Sequence, residues 1–410
     1  MGRTRTTVTT TETAPRLWSR DFVLVTVSAF FVLGSFFATF PLIPSYVEDE
    51  LGGGKVAVGL AVGIFAVSAV AVRPIVGRLG DTRGRKFIIV GGIVIIVGGL
   101  ALHALADTLA ALLAIRFVMG VGEAMFFIGA ATLVYDLAPP ERRGQATNYF
   151  SVAIYGGTAV GPAVGEAVER AWGFDGAFLA AAAMGWIGLG LSLRLDRHVP
   201  SFQTAGERHQ LTLRQRYFHP RAVPPGIILL LGTLTFAAFT GFVPLYAEDL
   251  GLPGVAPLFA LYGTLVVLIR IVAAKLPDRL GTVPTASMAM IGIASGMAIM
   301  AAIPSVFGLY LGTVVWALGI SLQYPTLLVA AIQGVPESER ATATGTFTMF
   351  FEIAGGIGGP LLGIVAALSG DRATFVVSAL SALTGVVLLR TWVAAKLETP
   401  ASAMVAPTEG

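Results

Sequence analysis

GRLGDTRGRK, residues 77–86, holds five charged side chains in ten positions: Arg78, Asp81, Arg83, Arg85 and Lys86. It lies between two apolar runs, VAVGLAVGIFAVSAVAV (56–72) and FIIVGGIVIIVGGLAL (87–102). Charge is otherwise scarce. Charged residues are 12% of 410 and apolar ones 55%, where a soluble domain is about 25% charged. Mean hydropathy is +0.80. Such a chain faces an apolar solvent over most of its surface, so its charges collect where it leaves the bilayer. The stretch reads as a short loop between two membrane-spanning helices.

A spanning helix needs about 20 mostly apolar residues. Twelve windows meet that need: 22–44, 56–76, 87–106, 109–134, 147–169, 174–195, 223–247, 255–275, 283–303, 306–332, 343–368 and 372–395. They are numbered spans 1 to 12. With the N-terminus inside, 23 of the 27 Lys and Arg residues fall on inner segments. The outer loops hold Lys55, Arg170 and Arg372, and Arg116 lies within span 4. This bias fits the positive-inside rule and predicts cytoplasmic termini in a multi-pass protein of the cell (plasma) membrane. The predicted fold is all-α, in two six-helix bundles. Residues 1–21 form a tail, 22–195 the first bundle, 196–222 a cytoplasmic linker, 223–395 the second bundle and 396–410 a second tail.

Several chemistries are absent from the sequence. There is no Cys, so there is no thiolate metal site and no Cys nucleophile. His103, His198, His209 and His219 lack zinc-ligand spacing, and no phosphate-binding Gly-rich loop occurs. No metal, cofactor or enzymatic activity is expected. The basic residues follow loops rather than one binding face, which excludes nucleic acid as a partner. The expected partners are a small-molecule substrate, protons and the lipid bilayer, with the chain acting as a monomer.

The chain also repeats itself. PLIPSYVED (41–49) recurs as GFVPLYAED (241–249), Arg73 and Asp81 as Arg270 and Asp278, and Glu141-Arg142 as Glu339-Arg340. GTAVGPAVG (157–165) recurs as GGIGGPLLG (355–363). The matches keep their order at offsets of 197 to 200 residues. Two halves of six helices related by a repeat are the architecture of secondary transporters, with the substrate site between the halves near the midplane.

Three motifs now carry a resemblance. GRLGDTRGRK resembles the loop 2–3 signature of the major facilitator superfamily, G-x-L-x-D-R-x-G-R-R/K, with Thr82 where Arg is expected. RFVMGVGE (116–123) is similar to that family's span 4 motif, R-x-x-x-G-x-G. GTAVGPAVG is similar to its span 5 antiporter motif, G-x-x-x-G-P-x-x-G. Together they resemble the twelve-helix drug:proton antiporters and the bacterial permeases labelled arabinose-efflux-like. The resemblance implies that Gly77, Gly80, Asp81, Arg83, Gly84, Arg85 and Lys86 form a conformational latch, with Asp278 and Arg279 of KLPDRLG (275–281) as its weaker copy. It also implies that Gly157, Gly161, Pro162 and Gly165 let span 5 seal and bend. Glycines four apart permit close helix approach, and proline removes a backbone hydrogen bond. Ordinary small-residue packing is the alternative reading of that motif.

Charge inside a span is costly and marks a functional candidate. Arg116 and Glu123 are seven residues apart, on one helix face and about 10.5 Å apart along the axis. Glu352 lies in span 11 and Glu166 near the outer end of span 5. A carboxyl that is dry when neutral and wet when charged can carry a proton. Glu123 is the first candidate, coupled to Arg116, followed by Glu352 and Glu166; a satisfied structural ion pair is the alternative. Spans 1, 4, 7 and 10 line the central cavity in the family. There Phe36, Phe37, Phe40, Phe239, Trp316, Gln323 and Tyr324 suit a hydrophobic or amphipathic compound. The expected function is proton-coupled efflux of such a compound by alternating access. The rival expectations are proton-coupled uptake of a metabolite and a substrate sensor without flux.

Overall fold

The computed structural model describes residues 17–139, 142–196, 219–273, 276–336 and 339–393. The tails up to residue 16 and from 394, and linker residues 197–218, lie outside them. Among the described residues every regular element is helical. Ten helices have the length and apolarity to cross a membrane. The longest, Arg143–Leu193, holds two spans joined at Gly173, its only non-helical residue. The shorter apolar helix Ala256–Val272 completes twelve spans. The expected all-α fold of two six-helix bundles is the fold observed.

The helices start where the sequence offers caps. Ser19, Thr108 and Ser305 accept the backbone N–H of Phe22 at 3.2 Å, Ala111 at 3.2 Å and Gly308 at 3.1 Å. Each satisfies one of the N–H groups that a helix start leaves without an internal partner. Thr108 and Ser305 are 197 residues apart, so the repeat extends to the capping chemistry. It extends to the turns as well. Gly84 and Gly281 both adopt positive φ (93° and 87°) between the second and third spans of their halves. Gly173 and Gly370 do the same between the fifth and sixth (72° and 80°). A side chain is strained in that region, so these are the positions at which glycine is required.

Three boundaries differ from expectation. GRLGDTRGRK is not a loop. Span 2 stays helical from Lys55 to Arg83, span 3 starts at Arg85, and Gly84 alone makes the reversal. Charge does not end a helix that has left the membrane; a residue at positive φ does. The first tail is shorter than 1–21, because span 1 begins at Arg20 and Leu17 is already buried. Span 1 is also interrupted. Helix Arg20–Ala38 gives way to a short helix, Leu42–Ser45, and a π-helical turn, Tyr46–Glu50. Its repeat partner, span 7, runs unbroken through Pro244 from Val223 to Asp249.

Each half closes on small residues. Gly157 meets the backbone of Phe30 and Gly34, Gly161 that of Gly34 and Ala38, and Gly165 that of Ala38. The span 5 motif therefore packs span 5 onto span 1 inside the first half. Ser28 adds hydrogen bonds to Ser192 (2.7 Å) and the Gly188 carbonyl (2.9 Å), tying span 1 to span 6. Span 5 passes through Pro162 with no break in helical geometry.

Candidate functional site

The two halves meet along spans 2 and 11 and along spans 5 and 8. We call the side where span 1 begins and span 12 ends the terminal side, and the other the far side. Toward the far side the first seam is sealed by glycine. A Cβ at Gly59 would collide with the carbonyl oxygen of Gly359, and one at Gly63 would lie 2.7 Å from Pro360. Gly359 and Pro360 belong to the second copy of the span 5 motif. Thus the first copy packs within its half, while the second packs against the opposite half.

Polar contacts reinforce the far side. Lys55 bonds Glu48 of its own half at 3.0 Å and Asp371 of the other at 3.0 Å. Glu166 accepts the N–H groups of Val255 and Ala256 at 2.7 and 2.8 Å, capping the start of span 8 from across the seam. It also holds Arg170 at 3.0 Å, and Arg170 donates to the Pro253 carbonyl. The geometry makes Glu166 a brace between the halves, with both carboxylate oxygens engaged.

Deeper in, two arginines cross the seams. Arg73 of span 2 bonds Glu352 of span 11. By helical rise they lie about 15 and 18 Å from the terminal-side ends of their helices. Glu123, midway along span 4, is their neighbour: the charges of Glu352 and Arg73 both act on its carboxyl. Its Oε2 atom is buried without a hydrogen-bond partner among the described residues. Arg116 goes elsewhere. Its Nε donates to the Ala61 carbonyl of span 2, and its guanidinium lies 5.6 Å from the centre of the Phe65 ring. The structure thus groups Glu123 with Glu352 and Arg73 rather than with Arg116. Residues seven apart share a helix face, but a neighbouring span chooses the partner. The sequence reading takes Arg73 as the repeat partner of Arg270 and as one of the inner-segment cations, with no role between the halves. Its place ten residues inside a 29-residue helix was the signal that it belongs to the interface.

The second crossing arginine is Arg270 of span 8. It donates to Ser151 and Tyr155 of span 5, both at 3.1 Å. Together with Asn148, Val152, Val267 and Ile271 these residues line a cavity of about 210 Å3.

The expected cavity aromatics fall into two groups. Phe36, Phe37, Phe40 and Phe65 pack edge to face or tilted in the first half, with centroids 4.7–6.4 Å apart. In the second half Phe239 stacks on Trp316 at 4.5 Å, and Trp316 donates to Thr235 at 2.8 Å. Gln323 donates to the Leu229 carbonyl at 3.0 Å, and Tyr324 packs on Phe347. Phe239, Trp316 and Gln323 are closed inside the second half in this conformer. Tyr262, which the sequence reading missed, joins Phe236, Phe239 and Trp316 to Tyr155 of the first half.

The latch residues lie within one half. Asp81 accepts from Arg85 at 2.8 Å, and Arg85 reaches Asp136 of span 4 at 3.2 Å. Asp81 lies in the last turn of span 2, within reach of that guanidinium. Lys86 donates to the Leu193 and Leu195 carbonyls, and Arg83 lies over Phe87. Gly80 packs against Ile88, while Gly77 faces open space. Arg279 is exposed; the side chain of Asp278 lies outside the described part. Among the described residues no group of three metal-ligand side chains converges.

This twelve-span fold, with its glycine-sealed seams and arginines crossing between halves, is that of a membrane carrier. The chain belongs to the Major Facilitator Superfamily, whose pattern matches residues 25–359 and again 258–409. Members are carriers of small molecules rather than enzymes. Its relatives include an uncharacterised MFS-type transporter of Salmonella typhimurium, 27% identical over 90% of this chain and 95% of that one. Another, from Burkholderia mallei, is 28% identical over 85% of this chain and 86% of its own. Among solved structures, a POT family transporter in complex with a thioalcohol-conjugated peptide superposes with a TM-score of 0.77 at 15% identity. It covers 93% of this chain and 97% of its own. The human organic anion transporter MFSD10 gives 0.69 at 18% identity, covering 90% and 99%. At such identities these structures speak for the fold alone.

Proposed function

We propose that the chain is a proton-coupled exporter of a small hydrophobic or amphipathic organic compound, of the drug:proton antiporter type, working by alternating access as a monomer in the plasma membrane. One observation carries the proton coupling. The unpartnered, buried Oε2 of Glu123 lies beside the Arg73–Glu352 pair that joins the halves. A second carboxylate close to one arginine can compete for it. When Glu123 is protonated, Arg73 stays with Glu352 and the halves remain tied. When Glu123 releases its proton, the new charge draws Arg73 and loosens the cross-half pair. Proton release is thereby linked to movement of one half against the other.

The far-side seal supports reading this conformer as closed to the outside, with Lys55, Glu166 and the span 11 glycines as the gate. The bias of Lys and Arg supports cytoplasmic termini. The aromatic surfaces around Phe36 and Tyr262 support an apolar or amphipathic compound. The test begins with a panel of toxic compounds on a host lacking its own pumps, with and without this chain. A compound so identified is then followed in proteoliposomes under a pH gradient imposed in each direction. Efflux driven by inward proton movement supports the reading. Accumulation with the proton would make the chain an uptake symporter, and binding without flux a sensor.

A further inference from the structure

Arg73 and Arg270 are repeat partners, 197 residues apart. Each reaches the fifth span of the opposite half. Arg73 there meets Glu352, and Arg270 meets Tyr155, which stands 197 residues before Glu352. The geometry of the two crossings is alike and their charge is not. Among its described partners Arg270 has no carboxylate, only the hydroxyls of Ser151 and Tyr155 and the face of the Tyr155 ring at 4.8 Å. Its Nε is buried with no hydrogen-bond partner among the described residues. A guanidinium placed between spans is stabilised by an anion, and its planar fork is shaped for a carboxylate. Where the first crossing ends on the Glu352 carboxylate, the second ends on the hydroxyls of Ser151 and Tyr155, beside the cavity. The remaining wall is largely apolar, from Val152, Val267 and Ile271, with the Asn148 amide as a further hydrogen-bonding group.

We propose that Arg270, Ser151 and Tyr155 form an anion subsite between spans 5 and 8, which takes the carboxylate of an amphipathic organic acid while its apolar part lies along Val267 and Ile271. The cavity is smaller than the 300–1,000 Å3 of drug-sized pockets. It therefore holds the charged end of a ligand, and the rest extends from it. This inference deepens the carrier reading and rests on it for the substrate class. The required chemistry, an anionic head on an apolar body, is also that of an acidic lipid. Ile271 and Val152 are exposed at the rim, so the test separates the two sources.

The full chain, purified in phosphatidylcholine nanodiscs, is titrated calorimetrically with phenylbutyrate, phenylbutanol and phenylbutylamine. The wild type is expected to bind the carboxylate roughly tenfold more tightly than the alcohol or the amine. Arg270→Gln should lose this preference and Arg270→Lys should keep part of it. Val267→Trp, which fills the cavity from a neutral wall, should lose the carboxylate while Arg270 remains; monodisperse gel filtration checks the fold of each variant. No preference in the wild type, or a preference that survives Arg270→Gln, overturns the subsite. Loss of phenylbutyrate binding in phosphatidylglycerol discs at constant ionic strength would assign the position to lipid and overturn the organic-acid reading. Flux of neutral or cationic compounds without Arg270-dependent carboxylate binding would sink the subsite and leave the exporter. Arg270-dependent binding with no flux of any compound would do the reverse.

Discussion

Arg73 of span 2 meets Glu352 of span 11 across the seam between the halves. The pair is enclosed, with Glu352 8% exposed. Removing one partner of such a pair leaves a charge in a poor solvent, at a cost of about 3 kcal/mol. Replacing both with neutral groups of similar size costs less. Arg73→Gln should therefore destabilise the protein more than Arg73→Gln combined with Glu352→Gln. Thermal unfolding of the single and double variants in one detergent measures this. A double-variant loss equal to the sum of the Arg73→Gln and Glu352→Gln losses would mean that the two side chains are not coupled.

The glycines of the two motif copies should behave differently. A Cβ at Gly161 would strike the Gly34 carbonyl within the first half, so Gly161→Ala should lower stability in every conformer. A Cβ at Gly59 would strike Gly359 across the seam. Gly59→Ala should leave the halves intact and disfavour far-side closure. Because the chain has no Cys, paired cysteines at Leu105 and Phe307, both exposed near the far side in opposite halves, can carry spin labels. The label distance should lengthen in Gly59→Ala and stay unchanged in a folded Gly161→Ala.

Lys55 links Glu48 to Asp371 across the same side. Its side chain is 28% exposed, so solvent screens the pair and its worth is about 1 kcal/mol or less. Lys55→Met should shift the spin-label distribution toward the longer distance by a severalfold change in population, with little loss of thermal stability. An unchanged distribution would leave far-side closure to the glycine seam and the Glu166 brace.

Much of this is legible in the sequence. The twelve spans follow from apolar run length, and the repeat at 197 to 200 residues returns as matched caps and matched positive-φ glycines. Less legible was anything set by contact between spans. Sequence spacing joined Arg116 to Glu123, yet Arg116 turns to Ala61 and Phe65 of span 2. Helix register fixes which face a residue occupies; packing decides what lies opposite. For the same reason the sequence reading assigned sealing to Gly161, although in this conformer its copy Gly359 lies at the seam. Span 2 outlasted its apolar run by a turn and more, because only Gly84 could end it.

Asp81 holds Arg85, and Arg85 holds Asp136, which connects the terminal-side ends of spans 2, 3 and 4. The side chain of Asp81 is 37% exposed, and it lies far from the crossing arginines along span 2. Asp81→Asn should lower the transport rate with little change in substrate affinity. Initial rates and equilibrium binding, measured on the same preparation, separate the two. Lost binding with a normal rate of opening would contradict a conformational role.

The central claim is that Glu123 carries the coupled proton. Glu123→Gln keeps the size and polarity of the side chain and cannot ionise. In proteoliposomes, with a compound identified by the resistance screen, the wild type should concentrate that compound against its gradient when protons flow the other way. The variant should still exchange labelled for unlabelled compound, with uphill transport lost and its rate no longer following pH. A Glu123→Gln protein that still concentrates the compound against its gradient would contradict the account, and Glu352 would become the next carboxyl to test.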